Sequence, residues 1–569
     1  MRLALLQLNA RLGDPETNGR AIEAAYAAAV AAGADLVLAP ELAIPGYLAE
    51  DRLWEPALRR RVEAESHRLA ALAGEVPLLF GTARSAPSGR LWNELWWCER
   101  GGLRQAVRKR VLPSYDVFDE GRYFEPDPAP QPLVAFRGHR IGLSICEDLW
   151  ADPGLGNAPV RYGLDPIADL ASAGATLILN ASASPGALGS FLPPGRTAPW
   201  AVASKDDQRR RLIPGLARKH GVPVAYASRV GAESWLLFDG GSGLALPDGR
   251  WQGMAPFEEG RLLVDTEDGG GTWRPCEDGP WLRRALVAGI RDNLAKQGLE
   301  ALVLGLSGGI DSAVCAALAV EALGSGRVLG VAMPTRFSSG ESADLAEVQA
   351  RHLGMGFLAL HAELPFAGFS AALGQAFPGR AFCLTDENLQ SRSRGALLMA
   401  LTTEPEVQRQ LGSERIAVLN TGNKSEAATG YFTLYGDGIG AFAPLGDCLK
   451  ARVYALAREL GEAVPRGVLE RPPTAELRPG QTDEASLLPY AQLDAILGAA
   501  VEAQRPEEGL AEDLALLLEG AALDQARAAL PRILGLLRRT EFKRRQLPFA
   551  FKVSPKAFGA GRRMSLTAI

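Results

Sequence analysis

At 569 residues the chain is too long for a single hydrophobic core, so two or more domains are expected. Apolar residues at 47% and charged residues at 22% argue against disorder, and a net charge of −5 lacks the basic footprint of an extended DNA or RNA binder. The six cysteines are scattered without a CxxC pair, and no apolar run reaches the ~18 residues of a membrane span, so a cytoplasmic protein without nucleic-acid or membrane partners is expected.

The first 265 residues contain short apolar runs that end in polar, Gly or Pro punctuation: LALLQLNA, DLVLAP, PLLFGTA, RIGLSIC, ATLILNAS and VPVAYAS. Each predicts a short buried strand, and Ala-rich stretches at 18–32 and 62–73 predict helices between them. Residues 1–265 therefore read as one layered α/β domain. Residues 266–280, TEDGGGTWRPCEDGP, lose all apolar period and read as a linker. Beyond it, residues 281–297 predict a helix, 301–306 a strand, 312–323 a helix and 328–333 a strand, a βαβ unit that opens a second domain over 281–569. Residues 502–539 read as mainly helical, and the tail is basic, with Lys543, Arg544, Arg545, Arg562 and Arg563.

In the second domain LGLSGGIDS (304–312) runs from a strand into a helix. Glycines let backbone close around phosphate oxygens, and a helix start adds free N–H groups and a positive dipole end. No lysine follows as in a GxxxxGK[ST] loop; Asp311 stands there instead, which makes sense beside phosphates if it holds Mg²⁺. A plain strand-to-helix turn is the competing reading of Gly308 and Gly309. The context resembles the pyrophosphate loop of the ATP pyrophosphatase superfamily, whose members cleave ATP between the α and β phosphates and adenylate an oxygen. LNTGNKSEAATGYFTLYGD (419–437), PLGDCLK (444–450) and PTAEL (473–477), followed by Asp483 and Glu484, are similar to the synthetase domain of NAD synthetases. That resemblance implies a Rossmann-like parallel α/β domain, with Ser307, Gly308, Gly309, Ser312 and Lys450 on ATP and pyrophosphate. It also implies Asp311, Glu426 and Thr474 on Mg²⁺, and Arg392, Asn423, Glu426 and Asp437 on deamido-NAD. Arg392 and Arg394 read equally well as a solvated basic face. Asn293 and Thr403 depart from the family pattern, which expects Tyr and Asn there.

In the first domain three strand ends deliver Glu41, Lys109 and Cys146. Singly, such residues are more often inert core or solvated surface. Their contexts, PELAIPGYLAED (40–51), KRVLPSYDVFDEGRYF (109–124) and CEDLW (146–150), resemble the Glu–Lys–Cys segments of the nitrilase or carbon–nitrogen hydrolase superfamily. The resemblance implies an α-β-β-α sandwich in which Cys146 attacks an amide, Glu41 shuttles the proton and Lys109 faces the oxyanion. NASASP (180–185) and FDGGS (238–242) agree with the glutaminase version, with Tyr47, Tyr115, Glu120 and Ser182 as its glutamine-pocket residues. Gly186, Ser228 and Ser234 depart from that version's pattern.

Adenylation creates a leaving group, and amidation then needs uncharged ammonia, which a neighbouring amidase supplies. The combination resembles glutamine-dependent NAD synthetases along almost the whole chain, and implies ATP as co-substrate, deamido-NAD and glutamine as substrates, and a homo-oligomer. Competing readings are an amidotransferase acting on another carboxylate, a non-catalytic nucleotide sensor, and a stand-alone nitrilase.

Overall fold

The computed structural model describes residues 1–47, 49–156, 159–268, 276–474, 476–478, 481 and 487–567. Residues 269–275 of the expected linker, together with Asp483 and Glu484, lie outside them. The chain divides into two compact units: residues 1–187 with 204–277, and residues 188–203 with 278–569.

The first unit is built on two six-stranded sheets. One has the order β14-β1-β2-β3-β4-β5, from β1 (Arg2–Gln7), β2 (Leu36–Leu38), β3 (Leu78–Ser85), β4 (Leu91–Glu99), β5 (Gly102–Arg108) and, last in sequence, β14 (Gly260–Asp265). The other has the order β13-β12-β9-β8-β7-β6, from β6 (Val134–Phe136), β7 (His139–Ile145), β8 (Leu177–Ser182), β9 (Val224–Ser228), β12 (Gly243–Ala245) and β13 (Trp251–Gly253). A hairpin, β10 (Val230–Glu233) and β11 (Leu236–Asp239), stands apart from both.

Side-chain alternation explains the layering, because successive residues of a strand point to opposite faces. In β1, Leu3 and Leu5 join Leu143, Ile145, Leu177 and Leu179 in a core between the sheets. Ala4 and Leu6 face the other way, onto Ile22, Tyr26, Val62 and Leu69 of the helices Pro15–Ala31 and Pro56–Leu72. The second sheet does the same: Ile178, Val224 and Tyr226 pack outward on Ile167, Leu170, Leu212 and Leu216 of the helices Pro166–Ser172 and Lys205–His220. The layers are helix, sheet, sheet, helix, as the nitrilase resemblance implies.

The second unit centres on a four-stranded parallel sheet of order β17-β16-β15-β18, made of β15 (Ala301–Gly305), β16 (Val328–Ala332), β17 (Gly356–Ala359) and β18 (Ile416–Val418). The chain leaves β15 for β16 on one side and later returns as β18 on the other. β15 therefore borders the point where strand order reverses, the place at which open α/β sheets bind ligands beyond their C-terminal ends.

Residues 188–203 leave the first unit because their apolar side chains find a core in the second. Phe191, Leu192, Ala198 and Trp200 pack on the cluster of Leu493, Leu497, Leu514 and Ile533. The Leu188 N–H donates to the Val553 carbonyl at 2.8 Å, and the Phe191 N–H to Glu502 Oε2 at 2.7 Å. The sequence reading of an uninterrupted domain over 1–265 does not anticipate this excursion.

Candidate active sites

The C-terminal ends of β2, β5, β7 and β8 lead into Glu41, Lys109, Cys146 and Ser182 respectively. The structure brings the first two into contact: the Lys109 ammonium donates to Glu41 Oε1 and to Glu120 Oε1, each at 2.7 Å. All are inside the fold, with Lys109 at 0%, Glu41 at 1%, Glu120 at 5% and Cys146 at 7% exposure. Glu41 is further fixed by the Asn93 amide, which donates to Oε1 at 2.7 Å, and by the Ala183 N–H, which donates to Oε2 at 2.9 Å. Tyr47 donates from its hydroxyl to Glu120 Oε1 at 2.7 Å and stacks edge-on against Phe238. Ser182 donates to Asn180 Oδ1 at 2.8 Å.

Cys146 begins a short 3-10 turn directly after β7 and holds φ at +41°, a left-handed conformation unusual for a residue with a Cβ. Burial pushes the thiol well above its ordinary range; Glu41 adds to this and Lys109 opposes it. Burial pulls Lys109 down, but Glu120 and Glu41 outweigh it and hold the ammonium well above its usual value. Burial raises the Glu120 carboxyl to about 7 against the pull of Lys109. A protonated thiol beside a fixed carboxylate and a permanent cation can deliver a proton and a sulfur nucleophile together.

Three further residues belong to this cluster and were not singled out from the sequence. Glu147 Oε1 accepts from the Tyr115 and Tyr162 hydroxyls at 2.9 and 2.8 Å, which places Tyr115 beside the residue that follows the thiol. Asn93 lies in a strand the apolar pattern does not reveal, and its carbonyl also accepts from the Lys109 N–H at 2.9 Å. Losing a hydrogen bond to a buried charge costs ~1.5–3 kcal/mol. Asn93→Ala is therefore expected to lower amide hydrolysis at this cluster about 10- to 100-fold, measured as ammonia released by the full chain.

In the second unit the loop after β15 enters the helix Ile310–Leu323. Gly308 has φ +73°, and a Cβ there would sit 2.4 Å from the Ser342 carbonyl oxygen, so only glycine lets the loop close. Ser307 and Ser312 hold the loop in shape: their hydroxyls lie 3.1 Å apart, Ser312 Oγ donates to the Gly309 carbonyl at 3.0 Å, and the Gly309 N–H donates to Ser307 Oγ at 3.2 Å. Asp311, one residue into the helix, pairs through Oδ2 with the buried Lys450 ammonium. It accepts from the Asn423 amide at Oδ1, at 3.1 Å. Glu426 Oε1 lies 3.7 Å from the same ammonium, and Asn423 and Glu426 form a reciprocal cap on the helix Lys424–Thr429. Asp311, Asn423, Glu426 and Lys450 thus converge from three separate motifs.

Thr474 has other partners: its hydroxyl donates to the Gln481 carbonyl at 2.7 Å and accepts from the Glu476 N–H. Asp437 accepts from Ser391 Oγ at 2.6 Å, and Arg392 and Arg394 donate to the carbonyls of Leu434 and Met333. Arg394 is half-buried and tied to main chain rather than lying on an open basic face, and burial lowers its guanidinium pKa. Asn293 and Thr403 bond locally, to the carbonyls of Gly289 and Ala400. For a divalent cation, Asp311 and Glu426 offer two anionic oxygen donors beside one ammonium, a hard donor set that fits Mg²⁺.

Comparison with known proteins gives the family of each unit. The carbon-nitrogen hydrolase family model matches residues 2–269 and the NAD synthase model residues 282–547. The glutamine-dependent NAD(+) synthetase of Synechocystis sp. is 39% identical, with 99% of this chain and 98% of the relative covered; that of Xanthomonas campestris pv. campestris is 38% identical, with 100% and 97% covered. Among solved structures, the glutamine-dependent NAD+ synthetase of Acinetobacter baumannii in complex with ADP has a TM-score of 0.73 at 29% identity, covering 99% of this chain and 98% of that one. The enzyme of Cytophaga hutchinsonii shares the fold, with a TM-score of 0.79 at 20% identity and coverage of 100% and 97%. A carbon–nitrogen hydrolase unit and an NAD synthase unit in one chain, matched end to end by such relatives, establish that this chain belongs to the glutamine-dependent NAD(+) synthetases.

Proposed function

We propose that the chain converts deamido-NAD, ATP, glutamine and water into NAD, AMP, pyrophosphate and glutamate, with ammonia made in the first unit and used in the second. The observation that carries this reading is the buried contact of Lys109 with Glu41 and Glu120 in the same electrostatic cluster as Cys146. In the first reaction Glu41 takes the Cys146 proton as the sulfur attacks the glutamine amide carbon. The Lys109 ammonium faces the oxygen that becomes negative. Glu41 returns the proton to the departing nitrogen, ammonia leaves and a thioester remains. Water, deprotonated by Glu41, opens the thioester to glutamate and restores the thiol. Glu120 and Asn93 hold Lys109 and Glu41 in place, while Tyr47, Tyr115 and Ser182 line the glutamine site.

In the second reaction the nicotinate carboxylate oxygen attacks the α-phosphorus of ATP and pyrophosphate departs. Ammonia then attacks the activated carbonyl, loses a proton and displaces AMP. The backbone of Ser307 to Gly309, the hydroxyl of Ser312 and the N-terminus of the following helix receive phosphate oxygens, and Lys450 balances charge that gathers on the leaving pyrophosphate. Asp311 and Glu426 would hold Mg²⁺, with Thr474 joining if its turn reorients; when bound, the ion neutralises charge on the phosphate oxygens. Asn423, Arg392 and Asp437 contact deamido-NAD. Uncharged ammonia passes between the units by a sheltered route, in a cytoplasmic homo-oligomer.

The test is to incubate the purified chain with deamido-NAD, ATP and Mg²⁺, once with glutamine and once with ammonium. NAD and AMP in equal amounts are expected in both; ADP in place of AMP, or turnover of another carboxylate but not of deamido-NAD, overturns the reading.

A further inference from the structure

Asp148 takes no part in the chemistry proposed above, yet it is 1% exposed and both its carboxylate oxygens are bound to main chain. Oδ2 accepts from the Ile145 N–H at 2.9 Å, and Oδ1 from the N–H groups of Arg110 and Val111 at 3.1 Å each. Ile145 immediately precedes Cys146, and Arg110 immediately follows Lys109. β5 and β7, the strands that end at these residues, belong to different sheets, so no ladder of backbone hydrogen bonds joins them. The sheets meet through apolar side chains, which attract without direction and so do not fix registry. Cys146 at φ +41° also persists only where its surroundings over-determine the conformation.

We infer that Asp148 is a positioning residue that sets the separation of the Lys109 ammonium and the Cys146 sulfur, by bolting the end of β5 to the turn that carries the thiol. The inference rests on the roles proposed for Lys109 and Cys146. Burial raises the Asp148 carboxyl to about 7, while the Ile145, Arg110 and Val111 N–H groups and Lys109 favour its charged form. Asp148→Asn can keep an acceptor for Arg110 and Val111 but turns an N–H₂ towards the Ile145 N–H, which loosens the thiol side of the clamp alone. Asp148→Ser releases both sides.

The test uses the full chain with ATP, Mg²⁺ and deamido-NAD present, and reads three quantities: glutamine hydrolysis, ammonia-driven NAD formation, and the pH profile of iodoacetamide alkylation at the Cys146 peptide, followed by mass spectrometry. The groups acting most strongly on that thiol are Glu41, Lys109, Glu147 and Glu120, and the Tyr47, Tyr115 and Tyr226 hydroxyls are also coupled to it. Withdrawal of the one cation among them raises the alkylation midpoint. For Asp148→Asn the expected result is a kcat for glutamine about 10- to 100-fold lower, a KM within about twofold, a midpoint about one pH unit higher and unchanged ammonia-driven synthesis, with Asp148→Ser larger in the same directions. A glutamine rate within about twofold of the parent, a fallen rate with an unmoved midpoint, or parallel loss of ammonia-driven synthesis in both variants overturns the inference. A parent chain that itself hydrolyses no glutamine overturns instead the function on which the inference rests.

Discussion

Cys146→Ala is expected to reduce glutamine-driven NAD formation by at least about 10³-fold while ammonia-driven formation stays within about twofold of the parent. The sulfur is the group proposed to form the covalent bond, and the Lys109 ammonium, paired with Glu41 and Glu120, is held charged and does not replace it. The substitution is also gentle on the fold, because Cys146 is already small and alanine removes one atom from a site that is 7% exposed. Parallel assays of NAD with glutamine and with ammonium check this, and loss of both activities would refute a division of labour between the units.

Asp311→Ala is expected to lower NAD formation about 10²- to 10³-fold with either nitrogen source, because it removes a carboxylate that would hold the Mg²⁺ neutralising phosphate charge. It leaves Lys450 without its closest carboxylate, with Glu426 3.7 Å away. Cys146 alkylation, which reports the other unit, should be unaffected. The measurement is NAD and AMP by chromatography at saturating ATP. Unchanged ammonia-driven turnover would remove Asp311 from the nucleotide site.

The strands announced by continuous apolar runs are present: all six predicted in the first 265 residues correspond to β1, β2, β3, β7, β8 and β9. Those strands are buried on both faces, which is what makes such runs continuous. β4 and β5 were invisible for a physical reason. β4 carries Asn93 and Glu94, one serving Glu41 and the other paired with Arg84 and Arg108, and β5 is a mostly half-buried edge strand interrupted by Arg104, Gln105 and Arg108. The predicted helix at 281–297 begins earlier, at Asp278, inside the stretch read as linker. Glu41, Lys109 and Cys146 could be picked out because each sits at the end of a recognisable segment. Asn93 could not, since its partner lies 52 residues away and nothing local marks it. Glu147 and Asp148 stand in the CEDLW segment itself; only their partners needed the structure.

The excursion of residues 188–203 makes the two halves of the chain inseparable as cloned pieces. A front fragment ending near residue 265 would carry Phe191, Leu192 and Trp200 with nothing to cover them, an invitation to aggregate. A back fragment starting near 278 would leave the matching cluster bare and Glu502 without the backbone amide it receives from Phe191. Swapping synthetase modules between relatives therefore requires transplanting this short stretch together with the rear portion, although more than seventy residues of sequence separate them.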